Sequence, residues 1–410
     1  MRKFARITLP LAGLNFVNQA SRTMIATLGP LLALEFALSA SELGLLAAMF
    51  FAAYAAAQLP VGLAIDLWGS RRVQTVLALV AATGFVICAL ATGPFGLAFG
   101  RVVTGLGISA GLIAMIKVNT QWYARDQVAG MTGLGVLVGA LGSITATVPV
   151  ALLVPAIGWR GVFVLLALLS LGVSAWIWAS VPNGGPEGKP GATPPPRRSL
   201  GAEVAEFGRI FRHPAFLRFA PSVALLSSLN FTYQGLWAGP WLRDVAGLEE
   251  ATRAVLLLCY AGGLMAGSAG TGQAASFLQR RGAHPMLVPW ISMVGIAMVQ
   301  ILLMLQPVGK LAVLGAIWFL FALFSAAGPA GYAAIGQRFG AELAGRVATA
   351  INVTMLVLVF LLQNAIGWIL DLWPRTALGG WDAAGYGWAM GLTVAMQVVA
   401  GLLMLRPGKG

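Results

Sequence analysis

Apolar runs of about twenty residues recur along this chain of 410 residues, separated by short polar segments. A helix of that length crosses the hydrocarbon core of a bilayer, where the backbone must satisfy its own hydrogen bonds. Each run therefore predicts a transmembrane helix. The runs lie at 8–34, 42–65, 74–92, 95–118, 129–154, 160–181, 215–241, 253–278, 285–305, 311–335, 345–370 and 385–405. We predict an all-α polytopic membrane protein with twelve transmembrane helices.

The composition agrees with this class, because 59% of the residues are hydrophobic and 10% are charged. Soluble domains have about a quarter of their residues charged. The net charge of +13 could indicate a nucleic-acid partner, but the basic residues sit in short loops between apolar runs, so we expect none. Cys88 and Cys259 lie inside apolar runs, where a thiol behaves as a small hydrophobic group. We expect no disulfide, metal site or cofactor.

A segment rich in proline and glycine, 182–199, follows the sixth run and cannot bury a core of its own. Apolar residues then recur at helical spacing among charged ones, which predicts a short amphipathic helix on the cytoplasmic membrane face; they are Leu200, Val204, Phe207 and Phe211. We divide the chain into an N-terminal six-helix bundle, a cytoplasmic linker with this helix, and a C-terminal six-helix bundle, at 1–181, 182–213 and 214–410.

The two halves resemble each other at an offset of 210 residues, which is typical of duplicated bundles. Gly29 and Pro30 near the end of the first run correspond to Gly239 and Pro240 near the end of the seventh. We therefore expect two pseudo-symmetric bundles.

Basic residues are distributed unequally over the two sides of the predicted membrane. Cytoplasmic loops of membrane proteins are enriched in lysine and arginine. The richer side holds both termini and the linker, so we place these in the cytoplasm and the protein in the cell inner (plasma) membrane. The first run resembles a secretory signal, but it continues to Leu34 without a small-residue cleavage site, so we expect a retained helix.

The loop between the second and third runs reads Gly-Leu-Ala-Ile-Asp-Leu-Trp-Gly-Ser-Arg-Arg from Gly62 to Arg72. It resembles the corresponding loop of the major facilitator superfamily, roughly G-x-L-a-D-r-x-G-r-R, with Gly62, Asp66, Gly69 and Arg71 on the fixed positions. The resemblance implies a secondary transporter that alternates access between two six-helix bundles, with Asp66, Arg71 and Arg72 in gating and Asp66 near the start of helix 11. The sequence has no G-x-x-x-x-G-K-[ST] nucleotide motif, and we predict no enzymatic activity.

Two arginines fall inside apolar runs, where an ionisable side chain is a functional candidate. Arg22 lies in the first run on the same helical face as Asn18, and Arg101 lies in the fourth within a sequence that resembles the superfamily's R-x-x-x-G-x-G motif. All thirteen acids can be assigned to loops or helix ends. A cavity lined by two arginines would attract a small anion through bidentate hydrogen bonds, so the predicted substrate is an anion.

The helix-1 pattern, with Pro30 and Glu35 after Arg22, resembles the anion:cation symporter and sugar-phosphate permease branch of the superfamily. That resemblance implies that Arg22 binds the anion. The proton-coupled members have Asp where this chain has Ser21, and Glu where it has Ile108. Exchange of two anions, facilitated diffusion and symport with a proton carried elsewhere therefore remain open.

Polar and aromatic residues on three other helices complete the predicted midplane site. Asn230, Tyr233, Gln234 and Trp237 fall at helical spacing on helix 7, which predicts one cavity-lining face. Tyr54 and Gln58 on helix 2 and Asn352 on helix 11 join them. We expect a monomer that contacts membrane lipid and a small anionic substrate.

Other interpretations stay open. Arg22 could be bonded to backbone carbonyls, Arg101 could serve structure or coupling, and the helix-7 residues could hold helices together. Efflux of neutral or cationic drugs is the main functional alternative, although cationic cargo would require a membrane acid and helix 5 lacks the G-P-x-x-G-G motif. A substrate sensor on a transporter fold would be expected to carry a large cytosolic output domain.

Overall fold

The computed structural model describes residues 3–182, 200–307, 309–340, 343–377 and 379–405. These residues form helices and no strands, and two π-helical turns, Phe4–Thr8 and Tyr233–Trp237, precede α1 and α10. The α-helices are α1 Leu9–Glu35, α2 Ala40–Trp68, α3 Ser70–Leu90, α4 Pro94–Ile108, α5 Gly111–Trp122, α6 Arg125–Thr145, α7 Val148–Ser180, α8 Leu200–Arg212, α9 Pro214–Thr232, α10 Ala238–Asp244, α11 Glu250–Arg280, α12 Leu287–Met304, α13 Leu311–Ser325, α14 Gly328–Gly336, α15 Ala344–Leu370 and α16 Ala383–Leu405. The predicted all-α membrane fold is confirmed.

Nine helices of the described residues are long and apolar enough to cross a membrane. Two of these nine spans each consist of two consecutive α-helices. The span Pro94–Trp122 contains α4 and α5, and the span Leu311–Gly336 contains α13 and α14. The first helix, α1, has 27 residues but is outside this group of nine. Its polar side chains, Asn15, Asn18, Gln19 and Arg22, lower its hydropathy. The same residues make α1 the main candidate for a functional helix.

The long helix α7 is interrupted at Gly158, where φ is 67° and ψ is 171°. This interruption falls between the fifth and sixth predicted runs, so the sequence placed this boundary correctly. A positive φ with an extended ψ is a conformation that glycine adopts and other residues avoid. Pro155 precedes it and removes a backbone donor, which also weakens the helix there.

Replacing Gly158 with alanine is expected to lower the free energy of unfolding by about 1–3 kcal/mol, because the side chain makes this backbone conformation strained. Gly172 in the same helix is the matched control, since it is helical and has open space around its Cα. Gly172→Ala should leave stability unchanged or raise it slightly. Thermal denaturation of the purified protein in detergent compares the two. Equal behaviour of both variants would contradict the assigned backbone.

Two compact units divide the chain. The first unit contains Met1–Pro190, Gln234–Pro240 and Glu249–Val255, and the second contains Gly191–Tyr233, Trp241–Leu248 and Leu256–Gly410. The predicted short helix forms as α8, and its Glu206 pairs with Arg346 of α15 at 3.1 Å. Residues 183–199 of the predicted linker lie outside the described residues. The proposed domain bounds stay a prediction.

Glycines let neighbouring helices approach closely inside each unit. A Cβ on Gly139 of α6 would come within 2.1 Å of the Asn15 side chain on α1. A Cβ on Gly263 of α11 would lie 2.1 Å from the backbone oxygen of Phe319 on α13. Gly139 and Gly263 thus serve close packing within each unit. In the first unit this packing fixes α1, which carries Arg22.

Candidate substrate-binding site

Four polar residues of α1 and α2 come together in the first unit. Asn18 and Arg22 are four residues apart on α1, and Tyr54 and Gln58 are four apart on α2, so each pair occupies one helical face. Tyr54 interacts electrostatically with Arg22 and with the side chains of Asn18 and Gln58. The structure therefore unites four of the predicted site residues. We call them the α1–α2 cluster.

A hydrogen bond to the end of α4 anchors Gln58 of the α1–α2 cluster, and two buried amide oxygens of the cluster have no partner among the described residues. Asn18 and Gln58 are each 3% exposed, whereas Arg22 and Tyr54 are half-buried. Gln58 Nε2 donates to the carbonyl oxygen of Ser109 at 3.1 Å, at the end of α4. The amide oxygens of Asn18 and Gln58 are buried without a hydrogen-bond partner among the described residues. A buried acceptor without a partner is costly, which is typical of a site that binds a polar ligand or water.

Arg101 has a different environment from the one predicted for a substrate contact. Its side chain is 1% exposed, and Nη1 donates to the backbone oxygen of Ser21 at 3.0 Å and to Ser21 Oγ at 3.1 Å. Its guanidinium lies 4.2 Å from the ring centroid of Phe50. Arg101 thus joins α4 to α1 and α2. Its partners, Ser21 and Phe50, could not be recognised from the spacing of residues along the chain.

The four predicted residues of helix 7 are buried, and their part in a cavity-lining face stays a prediction. Asn230, Tyr233, Gln234 and Trp237 are each 5% exposed or less. In the second unit, Asn230 Oδ1 accepts from Tyr260 at 3.0 Å, and Tyr233 packs on Phe321 with ring centroids 5.0 Å apart. The π-helical turn Tyr233–Trp237 alters the 3.6-residue period on which the predicted face depended. Asn352 is half-buried on α15.

The connection between α2 and α3 is a single residue, Gly69, with φ 82° and ψ 153°. Asp66 on one side of it forms an ion pair with Lys117 of α5 at 2.5 Å, and Lys117 also donates to the Ile65 carbonyl at 3.1 Å. Arg71 lies 4.5 Å from the ring of Trp178. A cavity of about 200 Å³ includes Asp66, Arg71, Arg72 and Lys117 in its lining. Sequence reasoning missed this ion pair.

Four of the acids that the structure describes form ion pairs with residues outside the α1–α2 cluster. Glu35 pairs with Arg160 at 2.9 Å and Asp66 pairs with Lys117. Asp244 pairs with Arg243 at 2.5 Å and is 2% exposed, although the sequence indicated only a helix end. Within the α1–α2 cluster, Tyr54 lies close enough to Arg22 for the two side chains to interact. The described residues contain no group of three or more side chains arranged to hold a metal ion.

Known proteins with a similar fold or sequence are transporters. A bacterial homologue of the human lysosomal transporter Spinster, solved in an inward-facing and unoccupied conformation, is 18% identical, covers 98% of this chain and 96% of its own, and has a TM-score of 0.75, which shows the fold. A probable sulfoacetate transporter of Cupriavidus necator is 29% identical over 157 residues, 38% of this chain and 36% of that protein. A hexuronate transporter of Bacillus subtilis is 27% identical over 179 residues, 41% of this chain and 38% of that protein.

These alignments span little more than a third of the relatives' own length. Recognition of the family rests on a longer match, since the sequence profile of the Major Facilitator Superfamily matches residues 11–363. That range covers the α1–α2 cluster, Arg101 and the Gly69 connection. The family and the similar structures indicate a multi-pass membrane transporter and not an enzyme. The chain belongs to the Major Facilitator Superfamily.

Proposed function

We propose that this protein is a secondary active transporter that moves a small organic or inorganic anion across the cell inner membrane by alternating access. The observation that carries the proposal is the α1–α2 cluster, where Arg22 lies beside the Tyr54 phenol and two buried amides. A guanidinium offers a planar set of donors that matches carboxylate, sulfonate or phosphate oxygens, and a phenol adds another donor. Both termini are proposed to be cytoplasmic, and the protein to be a monomer.

The similar transporters support an anion as cargo. Sulfoacetate carries a sulfonate and a carboxylate, and a hexuronate carries a carboxylate, so both named substrates are anions at neutral pH. In this proposal Arg22 binds the anionic group, while Asn18, Tyr54 and Gln58 hydrogen-bond its remaining polar atoms. Asn230, Tyr233, Gln234 and Trp237 on helix 7 and Asn352 on α15 are proposed to supply further polar and aromatic contacts to the substrate.

Arg101 is assigned a positioning role. It holds the backbone of α1 at Ser21, the residue immediately before Arg22, so it fixes where the Arg22 side chain begins. Because Ser21 and Ile108 replace acidic residues of the proton-coupled relatives, we propose that a proton is not carried at these two positions. Exchange of anions is a mode of secondary active transport that needs no such group.

Counterflow in proteoliposomes tests the proposed cargo. Vesicles loaded with unlabelled sulfoacetate, glucuronate, glycerol phosphate or inorganic phosphate are diluted into the labelled form of the same anion, with and without a pH gradient. We expect accumulation of at least one of these anions above empty vesicles. Accumulation of tetraphenylphosphonium with none of the anions would overturn the proposal and favour drug efflux. Accumulation that requires the pH gradient would contradict the proposed mode of coupling alone.

Asp66, Arg71 and Arg72 are proposed to act in gating, and the Asp66–Lys117 ion pair gives a test. The side chains are 57% and 30% exposed, so the pair contributes little to stability, about 0–1 kcal/mol. Asp66→Asn and Lys117→Gln are therefore expected to slow counterflow several-fold at an unchanged denaturation temperature. The exchanged pair Asp66→Lys with Lys117→Asp should recover part of the rate. If the exchanged pair recovers none of the transport rate, Asp66 acts through contacts other than the one with Lys117.

A further inference from the structure

A second cavity, of about 410 Å³, lies in the second unit where α9 and α12 begin and α16 ends. Most of its wall is apolar, and its polar side chains are Arg218 and His284. The apolar part includes Met286, Leu287, Trp290 and Leu405. Both α12 and α16 are candidate membrane spans, so the cavity sits at the boundary between their apolar segments and the polar loops. We call it the α9–α12–α16 cavity.

Arg218 lines the polar end of this cavity, and Arg338 contacts two of its lining residues, Phe219 and His284. Arg218 and Arg338 stack on the ring of Phe219, with guanidinium carbons 4.8 and 4.6 Å from its centroid. Arg218 donates through Nε and Nη2 to the Met404 carbonyl at 3.3 and 3.0 Å, which leaves Nη1 outside that interaction. Among the described residues, no carboxylate forms an ion pair with either arginine. One positive charge therefore lines this end of the cavity, and a second lies against its wall.

His284 completes the cationic end without neutralising it. Its Nε2 lies 2.9 Å from Arg338 Nη2, and its Nδ1 accepts from the backbone N–H of Met286 at 3.2 Å. Burial, followed by the nearby Arg338 and Arg218, lowers the pKa of His284, which lies in the loop before α12. The imidazole is then neutral at pH 7 and adds a polar group to the two guanidinium charges.

A cavity with a cationic end and an apolar wall at the membrane boundary matches one kind of occupant. A soluble anion would leave the apolar wall in water, whereas a neutral lipid would leave the two arginines without an anionic partner. We propose that the α9–α12–α16 cavity binds an anionic phospholipid, with its phosphate at Arg218 and Arg338 and an acyl chain along Trp290 and Leu405. This site is distinct from the α1–α2 cluster and does not depend on the proposed substrate.

Quenching by brominated lipids tests this proposal, because Trp290 lines the cavity. The protein is reconstituted with brominated phosphatidylglycerol or brominated phosphatidylcholine at equal mole fraction. The chain has 13 tryptophans, so the Trp290 signal is taken as the difference between the protein and Trp290→Phe. We expect phosphatidylglycerol to quench this component with an apparent association constant about fivefold or more above that of phosphatidylcholine.

Arg338→Gln is the main variant, since Arg338 is exposed and its replacement should leave the fold intact, and Arg218→Gln is the second. Each should reduce the preference for phosphatidylglycerol about fivefold. Arg280→Gln is the matched control, because it removes one exposed charge from the end of α11 and should keep the preference. Equal quenching by both lipids, an unchanged preference in both variants, or loss of the preference in excess soluble glycerol phosphate would overturn the proposal.

Discussion

Arg22→Gln is expected to reduce anion exchange about tenfold to a hundredfold without lowering the denaturation temperature. The variant keeps a polar side chain but loses the charge that the proposed substrate pairs with. A hydrogen bond to a charged group contributes about 1.5–3 kcal/mol, which converts to this range in apparent affinity. Counterflow over a series of concentrations of the active anion measures the loss, and it should appear mainly as a raised half-saturation concentration.

Arg22→Lys separates charge from geometry. Lysine keeps the positive charge but lacks the planar fork, so its activity should fall between those of the natural protein and Arg22→Gln. Arg160→Gln is the matched control, because Arg160 belongs to the same unit but pairs with Glu35 outside the cluster. Wild-type exchange in Arg22→Gln would show that Arg22 does not bind the anion. A lowered denaturation temperature in that variant would assign it a structural role.

The α1–α2 cluster could be predicted because its geometry is local. Within one helix, side chains four residues apart share a face whatever the helix packs against. Asn18 with Arg22, and Tyr54 with Gln58, needed only that rule and the presence of two neighbouring helices. The membrane spans could also be predicted from the sequence, since a bilayer imposes a minimum apolar length on each helix.

The helix-7 face could not be predicted because regular helical spacing does not hold there. A π-helical turn inserts an extra residue into the turn at Tyr233–Trp237, so the side chains beyond it rotate away from the expected face. Such turns leave no clear mark in the hydrophobic pattern. The expected spacing therefore missed two packing contacts, those of Tyr233 with Phe321 and of Asn230 with Tyr260.

Side chains near helix ends show a second limit of sequence reasoning. Asp244 was correctly assigned to a helix end, yet it is 2% exposed and accepts a hydrogen bond from Tyr386 at 2.7 Å. The carboxylate is stable there because Arg243 and the Trp381 backbone N–H also bind it. Those partners are up to 142 residues away along the chain, so burial depth at a helix end follows from tertiary packing.

Arg101→Gln is expected to show the opposite pattern from Arg22→Gln. Removing the buried guanidinium breaks two hydrogen bonds to Ser21 and the stacking on Phe50, so the free energy of unfolding should fall by about 2–4 kcal/mol. Thermal denaturation in detergent measures this fall. Exchange per folded molecule should lose maximal rate because α1 is less well fixed, whereas the half-saturation concentration should change less than in Arg22→Gln.

Ser21→Ala tests the same contact from the other side. It removes only the hydroxyl acceptor and keeps the backbone oxygen, so its expected loss of stability is about 0.5–1.5 kcal/mol. The double variant should be less destabilised than the sum of the single ones, because both remove one shared interaction. Additive losses would show that Arg101 and Ser21 act independently. A raised half-saturation concentration in Arg101→Gln at unchanged stability would instead make Arg101 a direct ligand of the anion, and would place both arginines in the substrate site.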